Sequence, residues 1–125
     1  MDKEKVNIYI VDDDEPVRHA LSRLLRSCGF HVLTFSSAQE FLDSVSPDAQ
    51  GCLILDVKMS GMDGLELQEK LNSSGWKLPI IFITAYETPQ DRKKALVNGA
   101  IAFLQKPLND KDLLDGIHSA LESSE

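Results

Sequence analysis

The sequence predicts an α/β fold: a (βα)5 doubly wound sheet of five parallel strands, each followed by a helix. Three observations predict it. Short apolar runs alternate five times with stretches whose apolar residues recur at helical spacing. One run, Cys52 to Leu55, is apolar without a break, the pattern of a strand covered on both faces. And four of the five runs stop on residues that carry chemistry: Asp12 and Asp13, Asp56, Thr84 and Lys106. Strands alternating with helices imply a parallel sheet with helices on both faces. Right-handed crossovers then bring every strand's carboxyl end to one edge.

The first strand is Val6 to Val11, running into Asp12-Asp13-Asp14-Glu15. Pro16 suits the first turn of a helix, where its missing N–H is not needed. Val17, Ala20, Leu21, Leu24, Leu25 and Cys28 follow at the spacing of one apolar helical face, and Gly29 is placed to end it. Phe30 to Phe35 is a second, less apolar strand, expected at an edge. Ser37 with Glu40 forms a capping-box pattern that opens a short helix with Phe41, Leu42 and Val45, broken by Pro47.

The third strand ends on Asp56, and polar, glycine-containing sequence follows at once: Lys58, Ser60, Gly61, Asp63, Gly64. Leu67 and Leu71 mark a third helix, ending near Ser73-Ser74-Gly75. Pro79 is expected at the first position of a strand that continues through Ile80-Ile81-Phe82-Ile83 to Thr84. Thr88-Pro89 starts the fourth helix and Gly99 ends it. Its large apolar residues are mainly Leu96 and Val97, so it is expected to be the least firmly docked. Ala100 to Gln105 is the fifth strand, ending at Lys106-Pro107. A last helix, opened near Asn109-Asp110, carries Leu113, Leu114, Ile117 and Leu121.

With 125 residues the chain is long enough for one domain with a real core and too short for two, so residues 1–125 are read as one unit with its core at about 6–121. The net charge is −7, which argues against direct nucleic-acid binding and suits a cation or a basic partner surface. No apolar run approaches bilayer length, and Met1-Asp2-Lys3-Glu4-Lys5 lacks an apolar signal region, so a cytoplasmic location is expected. Cys28 and Cys52 are expected to be small core residues in a reducing compartment.

Each chemical signal has an ordinary explanation when taken alone. Asp12 to Glu15 reads as a solvated acidic loop and helix cap, Thr84 as a strand-end threonine, and Lys106-Pro107 as a turn. Their joint placement at one sheet edge outweighs those readings. Clustered carboxylates repel one another, and a hard divalent cation, Mg²⁺ or Mn²⁺, relieves that repulsion. A lysine and a hydroxyl beside such a cation would stabilise a phosphoryl group, whose charge spreads over three oxygens. A carboxylate among them can act as nucleophile and form an acyl phosphate.

Val11-Asp12-Asp13-Asp14, Asp56 with Met59 and Gly61-Met62-Asp63-Gly64, Thr84-Ala85, and Lys106-Pro107 together resemble the receiver domain of two-component response regulators, across nearly the whole chain. Ile8-Tyr9-Ile10-Val11-Asp12-Asp13-Asp14-Glu15-Pro16-Val17-Arg18 and Gly51-Cys52-Leu53-Ile54-Leu55-Asp56-Val57-Lys58-Met59 are similar to the FixJ-type receivers, which usually precede a LuxR-type helix-turn-helix output domain. The resemblance implies the flavodoxin/CheY-like strand order 2-1-3-4-5. It implies that Asp56 accepts a phosphoryl group from a sensor histidine kinase and that Asp13 binds Mg²⁺ directly and Asp12 through water. The backbone carbonyl of Lys58 would be a third ligand, with Thr84 and Lys106 on phosphoryl oxygens. It further implies a cis Lys106–Pro107 bond, a switch aromatic at Phe103, and phosphorylation-dependent pairing of two copies through the face of helix four, strand five and helix five. Two positions depart from the family pattern. Ser60 stands where proline is usual, which leaves the loop less constrained in φ and is expected to make it more mobile. Leu108 replaces a frequent phenylalanine. Two other functions compete. Asp12-x-Asp14 also resembles the nucleophile loop of haloacid-dehalogenase-type phosphatases, though Glu15-Pro16 does not continue that motif. A phosphorylation-independent interaction module would not need the full set of Asp13, Asp56, Thr84 and Lys106.

Overall fold

The computed structural model describes residues 6–123. The elements alternate without exception: β1 (Asn7–Val11), α1 (Glu15–Ser27), β2 (His31–Phe35), α2 (Ala38–Ser44), β3 (Cys52–Asp56), α3 (Gly64–Ser73), β4 (Ile80–Thr84), α4 (Pro89–Val97), β5 (Ala102–Gln105) and α5 (Asp110–Ser123). The strands form one parallel sheet in the order β2-β1-β3-β4-β5. The order reverses between β1 and β3, which makes their carboxyl ends the crevice where such sheets bind ligands.

Side-chain alternation along each strand divides the core in two. Cys52 and Ile54 of β3 face one side with Ile8, Ile10, Ile81 and Ile83, and Leu21 and Leu25 of α1 and Leu113, Ile117 and Ala120 of α5 cover them. Leu53 and Leu55 face the other side with Tyr9, Val11 and Phe82, under Phe41 of α2, Leu67 and Leu71 of α3, and Ala95 of α4. Trp76, between α3 and β4, tilts against Phe41 with ring centroids 5.6 Å apart. All five residues of β3 are buried, as are all five of β4, whereas β2 at the edge alternates.

The differences from the sequence expectation have physical causes. β2 and β5 begin later than Phe30 and Ala100 because those residues belong to helix endings. Phe30 N donates to Leu25 O at 3.1 Å and Ala100 N to Ala95 O at 3.0 Å, each closing a Schellman motif over a left-handed glycine, Gly29 (φ 95°) and Gly99 (φ 103°). Cys28 is exposed, not in the core: it is the C-cap residue of α1, past the last turn, so the helical period no longer places it. Cys52 is buried as expected. The capping box at α2 is half formed. Ser37 Oγ accepts from Glu40 N at 3.0 Å, but Glu40 Oε1 accepts from Ser36 N at 2.7 Å instead of returning to Ser37. A complete box stands at α3, where Asp63 and Glu66 exchange both bonds at 2.9 Å. On α4, Leu96 and Val97 do not dock the helix; they are 39% and 73% exposed, and its one buried residue is Ala95. No helix among the described residues is long and apolar enough to cross a membrane.

Candidate functional site

Asp12 follows β1 directly and is fully buried. Its backbone N donates to Phe35 O at 3.2 Å, its Oδ1 accepts from Asp14 N at 2.9 Å, and its carbonyl accepts from Arg18 Nη1 at 2.8 Å. The residues that open α1 therefore fix Asp12 at both its carboxylate and its backbone carbonyl. Asp13, next along, is exposed, and its Oδ2 accepts from Ser60 N at 3.4 Å. Ser60 thus supplies an N–H that a proline would lack.

Asp56 is the last residue of β3 and only 4% exposed. The start of α3 is pressed against it: a Cβ on Gly64 would lie 2.2 Å from Asp56 O, so only glycine lets the helix approach this closely. Lys106 follows β5, its N donating to Thr84 O at 2.7 Å, and the Lys106–Pro107 peptide is cis, as the resemblance implies. The ammonium of Lys106 stands 2.9 Å from Asp12 Oδ2 and 3.5 Å from Asp56 Oδ1. Asp12 Oδ2 accepts no well-directed hydrogen bond, so charge attraction carries the shorter of these contacts.

Burial pushes the Asp56 carboxyl up to about 7, the negative charge of Asp12 adds to the rise, and Lys106 only partly offsets it. Burial would lower Lys106, but Asp12 and then Asp56 outweigh it, and its ammonium is held above the ordinary lysine range. Asp12, Asp13 and Asp56 each offer an oxygen, and those oxygens lie within 4.8 Å of one another. Three carboxyl groups share one ammonium, so their full ionisation leaves negative charge uncompensated. An all-oxygen donor set this tight, with a buried oxygen lacking a directed donor, fits a hard divalent cation.

Not every expected residue faces this cluster. Thr84 is fully buried, and its hydroxyl donates to Tyr86 O at 2.8 Å and accepts from Tyr86 N at 3.2 Å, so it closes a turn after β4. The Lys58 side chain leaves the site for α4, where Nζ lies 3.3 Å from Asp91 Oδ2. Phe103 is turned inward and only 4% exposed, 6.0 Å from the Phe82 ring. Arg92 covers it: the guanidinium is 5.9 Å from the ring centroid, and Nη1 donates to Phe103 O and to Glu87 Oε2, each at 3.2 Å. Sequence reading found none of Arg18, Asp91 or Arg92. Arg18 and Arg92 reach other elements through long side chains, and Asp91 is reached by the long side chain of Lys58, none of which a spacing within the chain signals.

A family model described as the response regulator receiver domain matches residues 8–118. The response regulator protein TmoT of Ectopseudomonas mendocina is 50% identical over 121 residues, covering 97% of this chain and 54% of TmoT. The transcriptional regulatory protein TdiR of Thauera aromatica is 46% identical over 114 residues, covering 91% of this chain and 50% of TdiR. The chain thus spans about half the length of these curated relatives. Among solved structures, the crystal structure of FixJ-N superposes with a TM-score of 0.87 at 33% identity, covering 96% of both chains.

Proposed function

We propose, from the premise that this chain belongs to the response regulator receiver family, that it accepts a phosphoryl group on Asp56 and thereby switches an output. The observation that carries this reading is the cluster at the carboxyl end of the central strand. Asp56 ends β3 with the Lys106 ammonium 3.5 Å away and the oxygens of Asp12 and Asp13 within 4.8 Å of its own. In the transfer a carboxylate oxygen of Asp56 forms a bond to phosphorus. The P–N bond to the donor histidine breaks, and its electron pair returns to the imidazole. Asp56 must be ionised to attack, and Lys106 opposes the burial that keeps its proton on. The Lys106 ammonium then has the arriving phosphoryl oxygens as partners. Asp12, Asp13, Asp56 and the Lys58 carbonyl would hold Mg²⁺, with Asp12 acting through water; the ion supplies charge neutralisation for the three phosphoryl oxygens. Asp12 Oδ1 is engaged by Asp14 N and its Oδ2 faces Lys106, and Glu15-Pro16 does not continue the phosphatase motif, which does not suit the phosphatase alternative.

The output reading follows from α4 and its neighbours. Thr84 would turn from Tyr86 toward the phosphoryl group, and the Arg92 hold on Phe103 would change with it. Leu96 and Val97 on α4 leave apolar surface for a second copy of the chain. A sensor histidine kinase as donor, a cytoplasmic location and a LuxR-type helix-turn-helix outside this chain complete the reading; the net charge of −7 does not favour DNA contact by this domain. The test is incubation with acetyl phosphate and Mg²⁺. One phosphoryl group should add, and Asp56→Asn should block it. Labelling of that variant at the wild-type rate would overturn the assignment.

A further inference from the structure

We infer that the Lys58–Asp91 ion pair is a positioning link through which α4 senses the acidic cluster; the inference rests on the phosphoacceptor reading of that cluster. The argument starts from how little else holds α4. Its buried apolar anchor is a single alanine, Ala95. Its other attachments are polar. Gln68 Nε2 donates to Ala95 O and Asn72 Nδ2 to Asn98 O, both at 2.9 Å, and Lys94 lies 3.1 Å from Glu69, so the back half is tied to α3. The front half is held by two adjacent residues that reach in different directions: Arg92 to Phe103 and Glu87, Asp91 to Lys58.

Asp91 needs that contact. Its side chain is 18% exposed, its Oδ2 is buried without a hydrogen bond, and the cation facing it is Lys58 Nζ at 3.3 Å. Lys58 in turn starts from a fixed pivot. Val57 before it is fully buried, with its N donating to Ile83 O at 3.0 Å and its O accepting from Gly64 N at 2.9 Å. Lys58 is two residues beyond Asp56, within roughly 7 Å along the chain. The four-carbon stem of Lys58 is flexible, so from that backbone position its ammonium can swing between α4 and the acidic cluster. A phosphoryl group on Asp56 brings new negative charge that competes with Asp91 for the same ammonium. Weakening the pair loosens the first turn of α4 and, with it, the adjacent Arg92 that covers Phe103.

Coupling of this kind is reciprocal. Removing the Asp91 charge should free Lys58 and tighten binding of beryllofluoride with Mg²⁺, by a factor of up to about five for a pair this exposed. The experiment titrates beryllofluoride into wild type, Asp91→Asn, Asp91→Glu, Lys58→Gln and the Lys58→Gln/Asp91→Asn double variant, and follows amide exchange of residues 89–97. Asp91→Asn should bind more tightly and should exchange faster in α4 before any ligand is added. Asp91→Glu should restore both values, and in the Lys58→Gln background Asp91→Asn should change neither. Unchanged binding and exchange in Asp91→Asn, or an effect that persists without the Lys58 ammonium, would overturn the link. Acetyl phosphate labelling of the same samples separates the two levels. Labelling at Asp56 with no Asp91 effect removes only the link, whereas absence of labelling in wild type removes the site reading and the link together.

Discussion

Asp56→Asn should make the apo protein more stable at neutral pH. The carboxyl of Asp56 stands at about 7 in the fold against an ordinary 3.8. The folded state therefore binds this proton more tightly than the unfolded chain does. Between those two values stability falls as pH rises, and the whole penalty is present above about pH 7. Taken at face value the shift amounts to ~4 kcal/mol. Solvent screening at the mouth of the site, and the Lys106 attraction that the amide forfeits, reduce the expected gain to ~1–2 kcal/mol. For a chain of this length that is a rise in Tm of roughly 4–8 °C. Thermal melts of both proteins in chelator, from pH 8 down to pH 4, measure it. The gain should be full at pH 8, shrink below pH 7 and nearly vanish by pH 4, because protonated Asp56 carries no charge to remove. A destabilised variant, or a gain that ignores pH, would refute the account of the buried acidic cluster.

Three further outcomes follow from the same geometry. Mg²⁺ at tenfold excess over its Kd should stabilise wild type by about 1.4 kcal/mol and Asp13→Asn much less, read from melting shifts; equal shifts in both would remove Asp13 from the cation site. Gly64→Ala forces a methyl to within 2.2 Å of Asp56 O, so it should destabilise the fold by ~1–3 kcal/mol and slow acetyl phosphate labelling, as denaturant melts and mass spectrometry would show. Beryllofluoride should drive wild type toward a dimer in sedimentation, and Val97→Glu, at a position 73% exposed, should prevent pairing without blocking phosphoryl uptake; a monomer throughout would leave the α4 face without a role in pairing.

The parts of this protein legible in its sequence are those set by local pattern. Buried β3 and β4 read clearly because uninterrupted apolar runs admit little else, and the chain order of elements put Asp12, Asp56 and Lys106 on one edge. What the sequence left dark depends on where long or rotatable side chains end up. Thr84 occupies its expected place in the chain, yet its hydroxyl serves the turn at Tyr86. The sequence points to the Lys58 carbonyl, whereas its ammonium has a separate partner on α4. Helix four was rightly expected to be thinly anchored, but for a different residue: Leu96 and Val97 have the hydrophobicity and Ala95 has the direction. Cys28 shows the same limit, since a helical period stops predicting a face once the helix has ended.

The position of Trp76 gives the protein two separate optical channels. It lies between the end of α3 and the start of β4, at the sheet edge opposite the carboxylates, packed against the core on the α2 side with the Phe41 ring 5.6 Å away. Its emission should therefore track whether α2 and its side of the sheet are assembled and change little with what occupies the other edge. Tyr86 is placed the other way round: 77% exposed, it shares its backbone with the Thr84 turn. A fluorinated tyrosine there would follow the loop while the indole counts folded molecules, so one sample could separate a ligand that rearranges the loop from one that merely keeps the chain folded.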